Sequence, residues 1–169
     1  MPSTTHPTLN TLPETIRSQI IDLLGARLVD TIDLQLQAKQ AHWNVKGPQF
    51  IALHKLFDDV AADVTEYVDL IAERIVQLGG VADGTSSSVA ERSSLAPYPP
   101  GISSGDEHVW AFANALSTCG DQMRRAIDAA DDLGDMGTAD LFTEISRGLD
   151  KSLWFVEAHA EQTPAAPRV

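Results

Sequence analysis

Cysteine is almost missing. Cys119 stands alone among 169 residues, so no internal disulfide framework exists. A reducing compartment is the simplest setting for such a chain. No run of about 18 apolar residues occurs, so no transmembrane helix is expected. Residues 1–12 lack a basic stretch followed by an apolar block, so no secretory signal is expected and the cytoplasm is the expected location. Basic residues are scarce. Lys and Arg total 12 against 24 Asp and Glu, a formal net charge of −12. Such a chain is soluble and attracts cations, but it is a poor general binder of phosphate backbones. Aromatics make up only 6%.

What remains is rich in Ala, Leu, Ile and Val, with 43% hydrophobic residues. This suits one helical domain, long enough to bury roughly two-thirds of its unfolded surface. Residues 1–12, rich in Ser, Thr and Pro, read as a flexible tail or strap. Pro13 suits a first helical position, and Ile16, Ile20, Leu24, Leu28, Ile32 and Leu36 then recur near the helical period to about residue 43. Asn44 to Pro48 breaks that helix. Leu53, Phe57, Val60, Val64, Val68, Ile71 and Ile75 predict a second helix from about Phe50 to Leu78, ended by Gly79-Gly80. Residues 81–103 form a long connection, with room for a helical turn near 88–93. Ser104 to Glu107 fits a capping box before a third helix carrying Val109, Phe112, Leu116, Cys119, Met123 and Ile127. Gly134 and Gly137 are expected to break it, and a fourth helix follows from about Thr138 to His159. Residues 161–169 read as a short tail. The domain thus spans 13–160. Short, long and short links define an all-α, four-helix bundle with one long crossover, the ferritin-like arrangement.

The second helix carries chemistry. At about 100° per residue, His54, Asp58, Asp69 and Glu73 fall within one arc of about 100°. His42 lies at the end of the preceding helix. His54 and Glu73 are nonetheless roughly 28 Å apart along the axis, too far to share an ion. Their positions suggest how two chains solve this. His54 and Glu73 are equidistant from the point between Asp63 and Val64, and so are Asp58 and Asp69. An antiparallel second copy, related by a two-fold axis there, places His54 opposite Glu73 and Asp58 opposite Asp69, twice per dimer. Mixed imidazole and carboxylate donors suit Fe(II), with Zn(II), Mn(II) or Co(II) as competitors. A cation would also relieve the repulsion among clustered carboxylates.

Lys39 to Gly47 (KQAHWNVKG), then Phe50, His54, Asp58, Asp69, Ala72-Glu73-Arg74, Gln77 to Gly80 and Asp150 to Phe155, resemble the Dps family of mini-ferritins over about residues 14–160. The Glu-x-x-His motifs of classical di-iron bundles are absent, so the site is not of the kind built inside one bundle. The resemblance implies a hollow shell of twelve subunits with paired ferroxidase sites at its two-fold interfaces. His42, His54 and Asp58 would come from one chain, and Asp69 and Glu73 from its partner. Fe(II) would be oxidised there, preferentially by hydrogen peroxide, and stored as ferric mineral, which protects DNA and the cell from oxidative damage. Trp43, beside a ligand, becomes a candidate trap for oxidising equivalents, with interface packing as the alternative. Asp128, Asp131, Asp132, Asp135 and Asp140 become candidates for pores that draw iron in; a solvated loop is the alternative. In one respect the chain departs from the family. Members that bind DNA directly often carry basic N-terminal tails, but here no Lys or Arg precedes Arg17 and only Arg168 follows Lys151. Direct DNA binding is therefore expected to be weak or absent, which disfavours a structural nucleoid-condensing protein. An adhesin-like relative would not need the five ligands, and all five are present. Cys119 is expected in the core, His6, His108 and His159 at the surface, and Trp110 and Trp154 in packing roles.

Overall fold

The structure, a computed structural model, describes residues 6–160. The expected C-terminal tail and the first five residues lie outside that range. Among the described residues there are five helices and no named strand: α1 (Glu14–Asn44), α2 (Phe50–Gln77), α3 (Ser86–Arg92), α4 (Gly105–Asp132) and α5 (Met136–Glu157). The four long helices are the expected ones, with shifted ends that have identifiable causes.

Pro13 precedes α1 instead of opening it. Its ψ of 141° is extended, while its carbonyl accepts the first helical bond from the Arg17 N–H at 2.9 Å. α2 stops at Gly79, whose φ of +87° favours glycine. The His6 N–H donates to the Gly79 carbonyl at 2.6 Å, and Arg17 donates to the Leu78 carbonyl at 2.9 Å. Carbonyls left over at the helix end are thus satisfied by the segment leading into α1 and by the first turn of α1 itself. α3 starts earlier than expected because Thr85 caps it through the Ser88 N–H. The Ser104–Glu107 capping box forms at the start of α4. α5 begins two residues before Thr138. The Asp135 carboxylate accepts from the Thr138 N–H and hydroxyl at 3.2 and 2.6 Å, so the helix is capped there. Only Gly134, with φ +79°, breaks the chain; Gly137 lies inside the first turn of α5.

α1 packs on α2, α4 on α5, and the two pairs close through α1 with α4 and α2 with α5. The links 45–49 and 133–135 are short, and 78–104 is the crossover that carries α3. α1 holds this crossover one turn at a time. Asp30 accepts from the Ser94 N–H at 2.7 Å, Asp33 from the Ser93 hydroxyl at 2.5 Å, and Gln37 donates to the Ala96 carbonyl at 3.1 Å. Arg27 pairs with the second Asp30 oxygen at 2.8 Å, so the buried charge is compensated. The core contains Phe57, Phe112 and Phe142, with the first two rings edge to face at 5.6 Å. Cys119 is fully buried there, and burial pushes its thiol pKa up to about 12.

Candidate metal centre

The turn 45–49 sets the last turn of α1 beside the first turns of α2. It is pinned to the start of α4 by the Lys46 N–H, which donates to the Ser103 carbonyl at 2.8 Å. With Lys46 bound elsewhere, the His42 carbonyl has no helical donor of its own. His54 supplies one, with its Nδ1 2.8 Å from that carbonyl. In return His42 Nδ1 lies 2.7 Å from the His54 carbonyl. The two rings stack with centroids 3.8 Å apart and planes 22° apart, and Phe50 covers His54 at 5.1 Å.

This reciprocal pairing assigns the protons. A carbonyl only accepts, so each Nδ1 carries hydrogen. In the neutral ring each Nε2 is then a bare lone pair, the state a metal ligand needs. Asp58 lies one turn beyond His54, and its carboxylate is 4.0 Å from His42 Nδ1. Lys39 Nζ holds the same oxygen at 2.5 Å and sits 5.7 Å from the Trp43 ring centroid. The hydrogen bond from Lys39 holds the Asp58 carboxyl below the usual carboxylate range, and the charge of the ammonium adds to it. In the sequence Lys39 stands out only as part of the KQAHWNVKG stretch. Its position three residues before His42, one helical turn away, was the available signal. Trp43 is 65% exposed and is not packed within its own chain.

Asp69 and Glu73 are exposed on the later part of α2, Asp69 roughly 17 Å along the axis from Asp58. Among the described residues, no three His, Cys, Asp or Glu side chains of one chain meet to hold an ion. One chain thus brings two histidines and a carboxylate to one end of α2 and holds two more carboxylates apart from them. The turn bearing Glu73 is anchored through its neighbour. Arg74 donates to the Thr138 hydroxyl at 2.9 Å and to both Asp135 oxygens at 2.8 and 2.9 Å.

Asp135 therefore differs from the other four candidate pore residues. It is 4% exposed, ion-paired and committed to capping α5. Asp128, Asp131, Asp132 and Asp140 are exposed around the α4–α5 turn. One further expectation is corrected. His108 is buried, with its Nδ1 2.8 Å from the Tyr98 hydroxyl, and desolvation lowers its pKa. Trp110 and Trp154 are 49% and 66% exposed within the chain, and the Trp154 ring lies 5.0 Å from that of Phe155.

The bundle, its crossover and the histidine pair define a ferritin-like protein, and residues 21–166 match the ferritin-like domain. The chain is 46% identical to the DNA protection during starvation protein of Agrobacterium fabrum over 158 residues, 94% of this chain and 98% of that one. DpsA14 from Streptomyces coelicolor superposes with a TM-score of 0.91 at 32% identity, covering 100% of both chains. The tetragonal form of Mycobacterium smegmatis Dps superposes at 0.86, also at 32% identity, over 96% of each chain. The chain belongs to the Dps family of ferritin-like proteins. No helix among the described residues is long and apolar enough to cross a membrane.

Proposed function

We propose that the chain is the subunit of a cytoplasmic ferroxidase and iron store. Fe(II) is its substrate, hydrogen peroxide the preferred oxidant, and a shell of twelve copies holds the ferric mineral. The observation that carries this reading is the His42–His54 pair, locked so that both Nε2 lone pairs are free for a cation. The imidazoles supply neutral donors of a kind suited to Fe(II), with Zn(II) and Mn(II) as competitors. Asp58 from the same chain, with Asp69 and Glu73 from a two-fold partner, offsets the charge of the ion. Lys39 releases Asp58 as the cation arrives. Each of two Fe(II) ions gives one electron to the O–O bond of peroxide, which breaks and takes up two protons to leave water. Removing Fe(II) and peroxide together suppresses hydroxyl-radical formation and so protects DNA without touching it.

The test adds Fe(II) anaerobically to the purified protein, then peroxide, and follows ferric absorbance. Rapid oxidation that disappears in a His42→Ala/His54→Ala variant of unchanged helicity is the expected outcome. Undiminished oxidation in that variant would refute the site.

A further inference from the structure

The two most exposed large aliphatic side chains of α2 have no part in the ferroxidase reading. Ile51 and Val76 are each 59% exposed, whereas Leu53, Phe57, Val60, Val64, Ile71 and Ile75 of the same helix are buried. Ile51 and Val76 are equidistant from the point between Asp63 and Val64, the point about which His54 mirrors Glu73 and Asp58 mirrors Asp69. On the helical wheel Ile51 and Val76 lie about 60° and 40° from His54, inside the arc of Asp58 and Asp69. Ala62 and Thr65, small and exposed, occupy the middle of the same stripe. Their size lets a second helix approach. Beside Val76 is a shallow hollow lined by Ala72, Glu73, Val76, Gln77 and Ala82.

We propose that Ile51 of one copy seats in this hollow against Val76 of a second copy, plugging the outer end of each iron site. The proposal rests on the two-chain reading of that site. The occupant is a second copy because an antiparallel α2 in the same register sets aliphatic opposite aliphatic at Ile51 and Val76, imidazole opposite carboxylate at His54 and Glu73, and small side chains opposite each other at Ala62 and Thr65, while Asp58 and Asp69 meet where the cation would offset their charge. From the ends inward the pairs are Ile51 with Val76, His54 with Glu73, Asp58 with Asp69, and Ala62 with Thr65. The plug closes the axial approach past His54. It also keeps water from that end of the site, which strengthens the attraction between the ion and its carboxylates.

Cysteine crosslinking of the full chain tests this. Within one helix residues 51 and 76 are roughly 37 Å apart, so they cannot bridge intramolecularly. In the proposed dimer the two copies of residue 51 lie at opposite ends, so Ile51→Cys alone cannot bridge either. The fully buried Cys119 keeps the parent chain silent. After mild oxidation, and in parallel with a short bis-maleimide that relaxes disulfide geometry, the Ile51→Cys/Val76→Cys variant should run mainly as a covalent dimer on non-reducing gels. The parent and both single variants should remain monomeric. A double variant that yields no dimer with either reagent, or a single variant that yields as much, would overturn the plug. Crosslinking needs no iron. A double variant that dimerises although the parent chain fails to oxidise Fe(II) supports the plug and refutes only the ferroxidase reading. One that does not crosslink although the parent oxidises Fe(II) refutes only the plug.

Discussion

Lys39 holds Oδ1 of Asp58 at 2.5 Å, and a cation using that carboxylate meets the repulsion of the ammonium. Replacing Lys39 by Met leaves Asp58 without its resident cation, so affinity for a divalent ion should rise roughly severalfold, as expected for losing one exposed ion pair. Anaerobic calorimetric titration measures this, and Asp58→Asn should abolish the gain. Asp135 makes a second prediction. Burial pushes its carboxyl pKa up, but hydrogen bonds from Thr138 and Arg74 outweigh this and leave it lowered. A depressed carboxyl pKa contributes stability above the unfolded-state value of about 4, lost as pH falls through the folded value. Asp135→Asn should cost about 1–3 kcal/mol at neutral pH, because Arg74 and the start of α5 lose their charged acceptor. The gap between the variant and the parent should narrow in acid. Denaturant melts at neutral and acid pH check both statements. His54, Asp58, Asp69 and Glu73 stand out in the sequence by type and mirrored spacing, and His42 by its place at the end of the preceding helix; that they share an ion is the proposal. The roles of Asp135 and His108 do not stand out. An Asp in a turn and a His near a helix start look like surface groups until the neighbouring helix supplies Arg74 or the crossover supplies Tyr98.

At the scale of elements, α2 carries two faces, one buried in the bundle and one presenting the stripe. Its seating depends on Gly148 of α5, where an added Cβ would collide with the Tyr67 hydroxyl. Gly148→Ala should therefore destabilise the bundle by about 1–3 kcal/mol through overpacking, read as a lower melting temperature. The long helices were legible because their apolar residues recur at the helical period over many turns. The hold of α1 on the crossover was not. Asp30, Asp33 and Gln37 break the apolar pattern of α1, and only the folded crossover shows that they bond Ser94, Ser93 and Ala96. The start of α5 is hidden in the sequence for a related reason. Gly137 reads as a breaker, yet capping by Asp135 holds it in the first turn.

At the scale of the whole molecule, charge decides the partners. A net charge of −12 per chain opposes a phosphate backbone, and the proposed assembly would multiply it. The protein should leave plasmid mobility unchanged at neutral pH and physiological salt without added divalent ions; a clear retarded band would contradict this. The same charge favours Fe(II), and two-fold pairing is what would turn separated ligands into a site. The central claim is that each site draws on two chains. It is tested most directly by mixing a His42→Ala/His54→Ala chain with an Asp69→Ala/Glu73→Ala chain, differently tagged, and purifying the hybrids. Each parent should be inactive, while random hybrids should regain about a quarter of native sites, since half the interfaces are mixed and each has one intact site. Hybrids as inactive as both parents, with mixed interfaces verified by mass, would contradict the account.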